Sequence, residues 1–349
     1  MPDDTLTHID NPVASAALPI CGFWRRLLAL LLDVLLLALV GYVLGKLFAD
    51  PFSALGPWGR LVGFAIALAY FGVLNSRIAG GQTLGKRLMR IYIVGRSWEF
   101  IPLRDSILRA AILTSPYFLG PLSTKYLGLT GPGIPFLLLF SGIDVGTVYF
   151  FVFNRRTRQS LHDLILRTCV VTGAPDDDIP LPRVDRFHYA VYAAVVLLCM
   201  ALGGLTKHWL DKSRLVGGQV AANLKLGGIE GAHAGSIQVH TRYGLHGGNR
   251  ESLIAGVVLE KKLVCTCSAE GQDCKCAFRQ RPGCECSARE VVRSAARVLL
   301  DTWPDIDSKE KLLVRVGYGY HIGIWSGVTW QATSESLSPA EWRKLLENQ

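Results

Sequence analysis

The first twenty residues, MPDDTLTHIDNPVASAALPI, contain no Lys or Arg and carry Asp3, Asp4 and Asp10. A cleaved secretory leader begins with a positively charged stretch, so the first apolar segment is expected to stay in the chain. Charge is absent again from LVGFAIALAYFGVLN, residues 61–75. The motifs of common hydrolases and dehydrogenases are missing too: there is no G-x-S-x-G, no H-E-x-x-H and no dinucleotide fingerprint, and GYGYHIG has the wrong glycine spacing. The expectation is therefore a protein that is not an enzyme. One near miss is GGQTLGKR, residues 80–87, where Gly80, Gly85 and Lys86 fit a phosphate-binding loop. Arg87 stands where a Ser or Thr would ligate Mg²⁺, and the apolar run before it is far longer than a buried strand of about 4 to 8 residues.

What the chain has instead is long apolar runs: WRRLLALLLDVLLLALVGYVLGKLF (24–48), the stretch 61–75, IPFLLLFSGIDVGTVYFFVF (134–153) and FHYAVYAAVVLLCMALGGLT (187–206). About 20 apolar residues in a helix cross a bilayer core, so these predict membrane helices. Arg77, Lys86, Arg87, Arg90, Arg96 and Arg104 follow the second run, and Arg155, Arg156, Arg158, Arg167, Arg183 and Arg186 follow the third. Cation-rich loops stay in the cytoplasm. Two such loops on one side require two crossings between them, so ILRAAILTSPYFLGPLSTKYLGL must supply one although Arg109 and Pro116 interrupt it. Five crossings then leave the N-terminus in the cytoplasm and everything beyond residue 207 outside a plasma membrane. The net charge of +9 follows these membrane edges and is no sign of nucleic-acid binding.

Three stretches in this order, Arg26 to Asp33 (RLLALLLD), GQTLGKRLMRIYIV (81–94) and NRRTRQSLHDLILRTCVV (154–171), make the region 18–173 resemble the RDD family of integral membrane proteins. The family takes its name from one Arg and two Asp. The resemblance implies that Arg26 and Asp33 are the first-helix pair and that Asp163 is the second Asp, with ion or small-solute transport suggested for some members. It also implies that Lys86, Arg87 and Arg90 belong to a cytoplasmic basic loop facing anionic headgroups.

Asp33 lies within the first helix and Asp144 near the middle of the third run. A lone carboxylate at mid-membrane costs at least about 2.5 to 3.5 kcal/mol, so such residues mark ion or proton sites or pair with a cation. For Asp33 the candidate partners are Arg26 and Arg109; no fixed cation lies near Asp144 in sequence. His162, beside Asp163, reads either as a proton shuttle or as part of a cytoplasmic helix face.

Beyond residue 210 the composition changes. SIQVHTRY (236–243), LIAGVVLEKKLVC (253–265) and KLLVRVGYGYHIGIWSGVTWQA (311–332) predict strands. SAREVVRSAARVLLDTW predicts a helix capped by Ser287 and Glu290, with Val291, Ala295, Val298 and Leu299 on one face, and Ser338 with Glu341 opens a last one. Within a hydrophilic connection Cys265, Cys267, Cys274, Cys276, Cys284 and Cys286 form three C-x-C pairs. In an oxidising compartment these would form a disulfide framework; as thiolates they would hold zinc or copper, with His233, His240 and His246 as further ligands. A variable, unpaired insertion is the third alternative.

The expected organisation is thus a cytoplasmic tail (1–22), an RDD-like transmembrane domain (23–173), a linker with the fifth transmembrane helix (174–210) and a small extracytoplasmic α+β domain (211–349) holding the Cys-rich loop 265–286. Two functions compete: passage of an ion or small solute along Arg26, Asp33 and Asp144, or anchorage of a stapled domain that binds a protein or small ligand. Small-residue helix faces leave room for a homo-oligomer.

Overall fold

The computed structural model describes residues 20–127, 132–172, 184–242, 250–261, 263, 265–267, 284–286 and 288–347. The chain starts with α1 (Phe23–Leu47) and turns through α2 (Ala49–Ala54) and a 3-10 turn (Gly56–Gly59) into α3 (Arg60–Leu74). A short α4 (Leu84–Met89) and strand β1 (Ile91–Val94) lead to α5 (Leu103–Leu127) and α6 (Gly133–Phe153). Then come α7 (Leu161–Leu166), β2 (Cys169–Thr172) and α8 (Arg186–Lys212). Among the described residues, Phe23–Leu47, Gly56–Leu74, Gly133–Phe153 and Arg186–Gly203 are long and apolar enough to cross a membrane. Leu31, Leu35 and Leu39 on α1, Val148 and Phe153 on α6, and Leu197 and Leu198 on α8 face outward, an apolar surface suited to lipid tails.

The helix α5 is as long as α1 but more polar, and it packs along α3 and α6 as a further member of the bundle. Pro116 and Pro121 lie inside it. A proline lacks the N–H that would bond four residues back, so Pro121 leaves the Tyr117 carbonyl free, and Arg60 of α3 donates to that oxygen at 3.4 Å. Ser123 and Thr124 turn their hydroxyls back onto the Gly120 carbonyl at 2.7 and 3.0 Å.

The second part begins with α9 (Arg214–Leu226) and contains β3 (Ala232–Arg242), β4 (Arg250–Leu259), the short strands β5 (Cys265–Cys267) and β6 (Cys284–Cys286), α10 (Ala288–Thr302), β7 (Lys311–His321), β8 (Ser326–Thr333) and α11 (Pro339–Glu347). Four strands form one sheet in the order β3-β4-β7-β8, parallel only between β4 and β7 and antiparallel elsewhere. The crossover between the parallel strands is long enough to hold α10, as parallel pairing requires. Leu253, Val257, Leu312 and Val316 from the sheet meet Ala222, Val292, Leu299 and Trp342 from the helices in one core. The α10 face is rotated slightly from the expected one: Ala295 and Leu299 are buried with Val292 and Ala296, while Val291 and Val298 lie at the edge. Ser338 caps α11 through Glu341, whose carboxylate accepts from the Ser338 N–H at 2.7 Å; Ser287 lies outside the described residues. The membrane bundle followed by an α+β region matches the fold class the sequence predicts.

Candidate functional site

The motif loops after α3 and α6 are built to one plan. Gln82-Thr83-Leu84 and Gln159-Ser160-Leu161 each open a six-residue helix, Arg90 and Arg167 each end it in the left-handed region at φ 54°, and a strand follows. Gln82 donates to the Ile91 carbonyl at 3.1 Å and Gln159 to that of Thr168 at 2.8 Å, the same bond in both copies. The strands β1 and β2 then pair antiparallel, Ile91 opposite Thr172 and Val94 opposite Cys169. The preceding helices end alike, in Tyr70-Phe71 … Asn75 and Tyr149-Phe150 … Asn154. This repeat is visible in the sequence as equal spacing within the helix ends and within the loop motifs, with two residues more between them in the first copy, and is the signal by which Tyr70, Thr83, Asn75 and Ser160 could have been found.

At one end of the bundle the loops hold two buried carboxylates. Asp163, with 0% of its side chain exposed, takes Arg26 Nη2 on one oxygen at 2.7 Å and Arg109 Nη2 and Nε on the other at 2.7 and 2.9 Å. The Ser160 N–H and hydroxyl (3.2 and 2.8 Å) and the Thr168 hydroxyl (3.0 Å) complete the shell. Burial alone would raise this carboxyl, but the Arg109 and Arg26 guanidiniums more than offset it and hold the group well below the usual carboxylate range. Arg26 also donates to the Arg158 carbonyl and lies over the Phe151 ring at 5.2 Å.

Asp33 pairs with neither arginine. It accepts from Thr83 Oγ1 at 2.5 Å, the Gly85 N–H at 2.8 Å and the Tyr70 hydroxyl at 2.6 Å, so α1 captures the start of α4 through a membrane carboxylate. The alternative in which Asp33 pairs with Arg26 or Arg109 is thereby corrected: both guanidiniums are turned to Asp163, while the donors at the start of α4 and the Tyr70 hydroxyl satisfy Asp33. Gly85 is needed for this approach, since a Cβ there would lie 2.2 Å from the Ala29 carbonyl oxygen.

The expected basic loop is a helical turn, and its three cations differ. Arg87 and Arg90 are exposed, while part-exposed Lys86 donates inward to Asn75 Oδ1 at 2.5 Å. Burial of its ammonium, with Arg109 nearby, brings Lys86 well below the ordinary lysine range. His162 is buried rather than on an exposed helix face, with Nε2 3.1 Å from Arg109 and 3.2 Å from the Ser160 hydroxyl. Burial pushes it down to about 3, so it is neutral at physiological pH.

Asp144 stands apart. It is exposed and lines an open groove of about 690 Å³ between α5, α6 and the start of the second part, together with Ser123, Thr124, Lys125, Ser141 and Asn223. No hydrogen bond or ion pair engages Asp144 among the described residues. His321, in GYGYHIG, ends β7 and packs at the bundle, with Nε2 3.0 Å from Arg60. The backbone register puts Cys265 opposite Cys286 and Cys267 opposite Cys284; Cys274, Cys276 and His246 lie outside the described residues. No cluster of three or more metal-ligating side chains occurs among the described residues.

No curated protein and no solved structure matches the chain. The family model described as the RDD family matches residues 20–167, the segment holding Arg26, Asp33 and Asp163 and both helix-strand loops. Residues 20–167 are thus similar to the RDD family, and a separate α+β region follows them.

Proposed function

We propose that the membrane domain passes an ion or small cationic solute, with Asp144 as the group that binds it. One observation carries this: Asp144 is an acidic side chain within a candidate span that lines an open groove and has no hydrogen-bond or ion-pair partner among the described residues, whereas Asp33 and Asp163 are fully engaged. An intramembrane ionisable group without a structural duty is the natural binding group for a cation or proton. The hydroxyl oxygens of Ser123, Thr124 and Ser141 line the same groove as further ligands of the kind hard cations take, with Lys125 beside them on its wall. The repeated helix-strand loops support the same idea, because internal repeats recur in membrane transporters.

In this proposal Arg26, Asp33 and Asp163 hold the bundle together rather than line the path. The N-terminus is cytoplasmic and the α+β region extracytoplasmic at the plasma membrane, in keeping with the cation-rich loops. The cysteines opposed across β5 and β6 suit a disulfide staple in such a compartment, and catalysis is not part of the proposal.

Proton- and Na⁺-sensitive dyes in vesicles containing the purified protein test it. Asp144→Asn should lower cation flux at least about tenfold while the protein elutes and melts as the parent does. A parent-like rate in Asp144→Asn would refute the proposal.

A further inference from the structure

The turn between β7 and β8, residues 322–325, enters the bundle at the end remote from the Arg26–Asp163 cluster. Ile322 is 0% exposed, and Ile324 packs on a core made by Leu37 of α1, Ala67 and Phe71 of α3, and Ala110 and Phe118 of α5. The receiving slot is cut by glycines. A Cβ at Gly63 of α3 would lie 1.8 Å from the Ile322 carbonyl oxygen, one at Gly41 of α1 2.9 Å from the Ile324 side chain, and one at Gly45, four residues further along α1, 1.9 Å from the hydroxyl of Tyr320 in β7. Small residues four apart on a membrane helix ordinarily admit a second helix; here they admit a β-turn. The rim is polar: Tyr117 donates to the Gly323 carbonyl at 2.9 Å, Arg60 meets His321 at 3.0 Å, and Ser53 donates to the Glu260 carbonyl at 2.8 Å.

We infer that this turn is a removable plug that closes the α1–α3–α5 side of the bundle. Two features make it removable. The α+β region has a core of its own, separate from the bundle core, so it can withdraw as a unit without unfolding. The turn is held by a few rim hydrogen bonds and one apolar contact layer. Irregular backbone at membrane depth is stable only while protein surrounds it, so the plug has a well-defined seated state and withdraws into water, not lipid. Behind Ile324 the apolar layer of Leu37 and Phe71 separates the turn from Tyr70 and Asp33. Withdrawal therefore uncovers this apolar layer, Ala67 included, to water.

The readout is access to Ala67, which lies one turn beyond Gly63 on the same face of α3 and is 1% exposed. In membrane vesicles carrying the full chain, Ala67→Cys is treated with a membrane-impermeant maleimide, and labelling at position 67 is followed by peptide mass spectrometry. The plug is then fixed by Gly41→Cys with Trp325→Cys. A Cβ at Gly41 lies 2.8 Å from that of Trp325, so a small shift reaches the roughly 3.5–4.5 Å of a disulfide. The expected result is slow labelling of the uncrosslinked protein, at least about tenfold slower after oxidation and restored by reductant. Tyr117→Phe, which keeps the packing and removes one rim bond, should speed labelling roughly three- to tenfold. Either no labelling at position 67 in any variant, or a rate indifferent to the cross-link, overturns the plug.

Discussion

Asp163 shows how a buried charge is made tolerable and what it fixes. Two guanidiniums, two hydroxyls and a backbone N–H converge on one carboxylate, tying α1, α5 and α7 together from positions far apart in sequence. Removing one partner of such a set commonly costs about 3–5 kcal/mol, because the rest is left uncompensated. The neighbouring His162 gives this cluster a pH signature. Around it stand Arg109, Asp163, Arg26, Lys86 and Ser160, and burial keeps it neutral down to about pH 3. An unfolded chain binds a proton at this histidine below about pH 6.5, and the native chain does not, so stability must fall as pH drops through the window between the two. The slope is at most about 1.4 kcal/mol per pH unit. Lys86 is displaced in the same direction by its burial, and comparison with a variant isolates the part that belongs to His162. The melting temperature in detergent is expected to drop between pH 7 and 5, and His162→Gln should flatten that drop measurably. Equal slopes in parent and variant would mean that His162 does not stay neutral. The sequence made Arg26, Asp33 and Asp163 legible as important; their pairing was not, because neither acid's nearest cation in the chain says which one it meets in space.

Among the elements, α4 and α7 were the hardest to foresee. Each is six residues long, too short for a periodic apolar pattern, and each is defined by its cap and its left-handed terminus instead. Their function is to close the end of the bundle: α4 sits on α1 through Asp33, and α7 on α1 and α5 through Asp163. The glycine of GQTLGKR, which in the sequence invites a nucleotide, serves the close approach of α4 to the α1 backbone. Gly85→Ala should therefore destabilise by about 1–3 kcal/mol, since its Cβ meets a backbone oxygen that cannot move aside. Gly95→Ala, whose nearest added contact is an ordinary 3.6 Å, should stay within about 0.5 kcal/mol of the parent. Thermal melts of the two variants side by side distinguish a requirement for this glycine from a general cost of replacing glycine.

For the whole molecule the main finding is that the second part is seated on the bundle. The seat is formed by the α1 end, α2, the start of α3 and the end of α5, which is the end opposite the Arg26–Asp163 cluster. The two ends therefore face opposite sides of any membrane the helices cross. If the cation-rich loops face the cytoplasm, the cysteine-bearing region must face outward. Intact cells treated with a membrane-impermeant maleimide should show labelling at Cys265 to Cys286 only after prior reduction. Labelling confined to lysed cells would reverse the orientation and favour thiolates as metal ligands.

Chain-local properties were settled by the sequence alone: the apolar helices by length and hydropathy, the strand-rich second part by alternation, and the likeness to the RDD family by three ordered motifs. Partnership was decided only in three dimensions. Asp33 meets Thr83, Gly85 and Tyr70, Asp163 meets Arg26 and Arg109, Gly63 meets Ile322, and Asp144 meets none of them. The physical reason is that periodicity and hydropathy act over one element, whereas a buried carboxylate or a glycine slot is satisfied by whichever atoms the packing of several elements brings within a few ångströms.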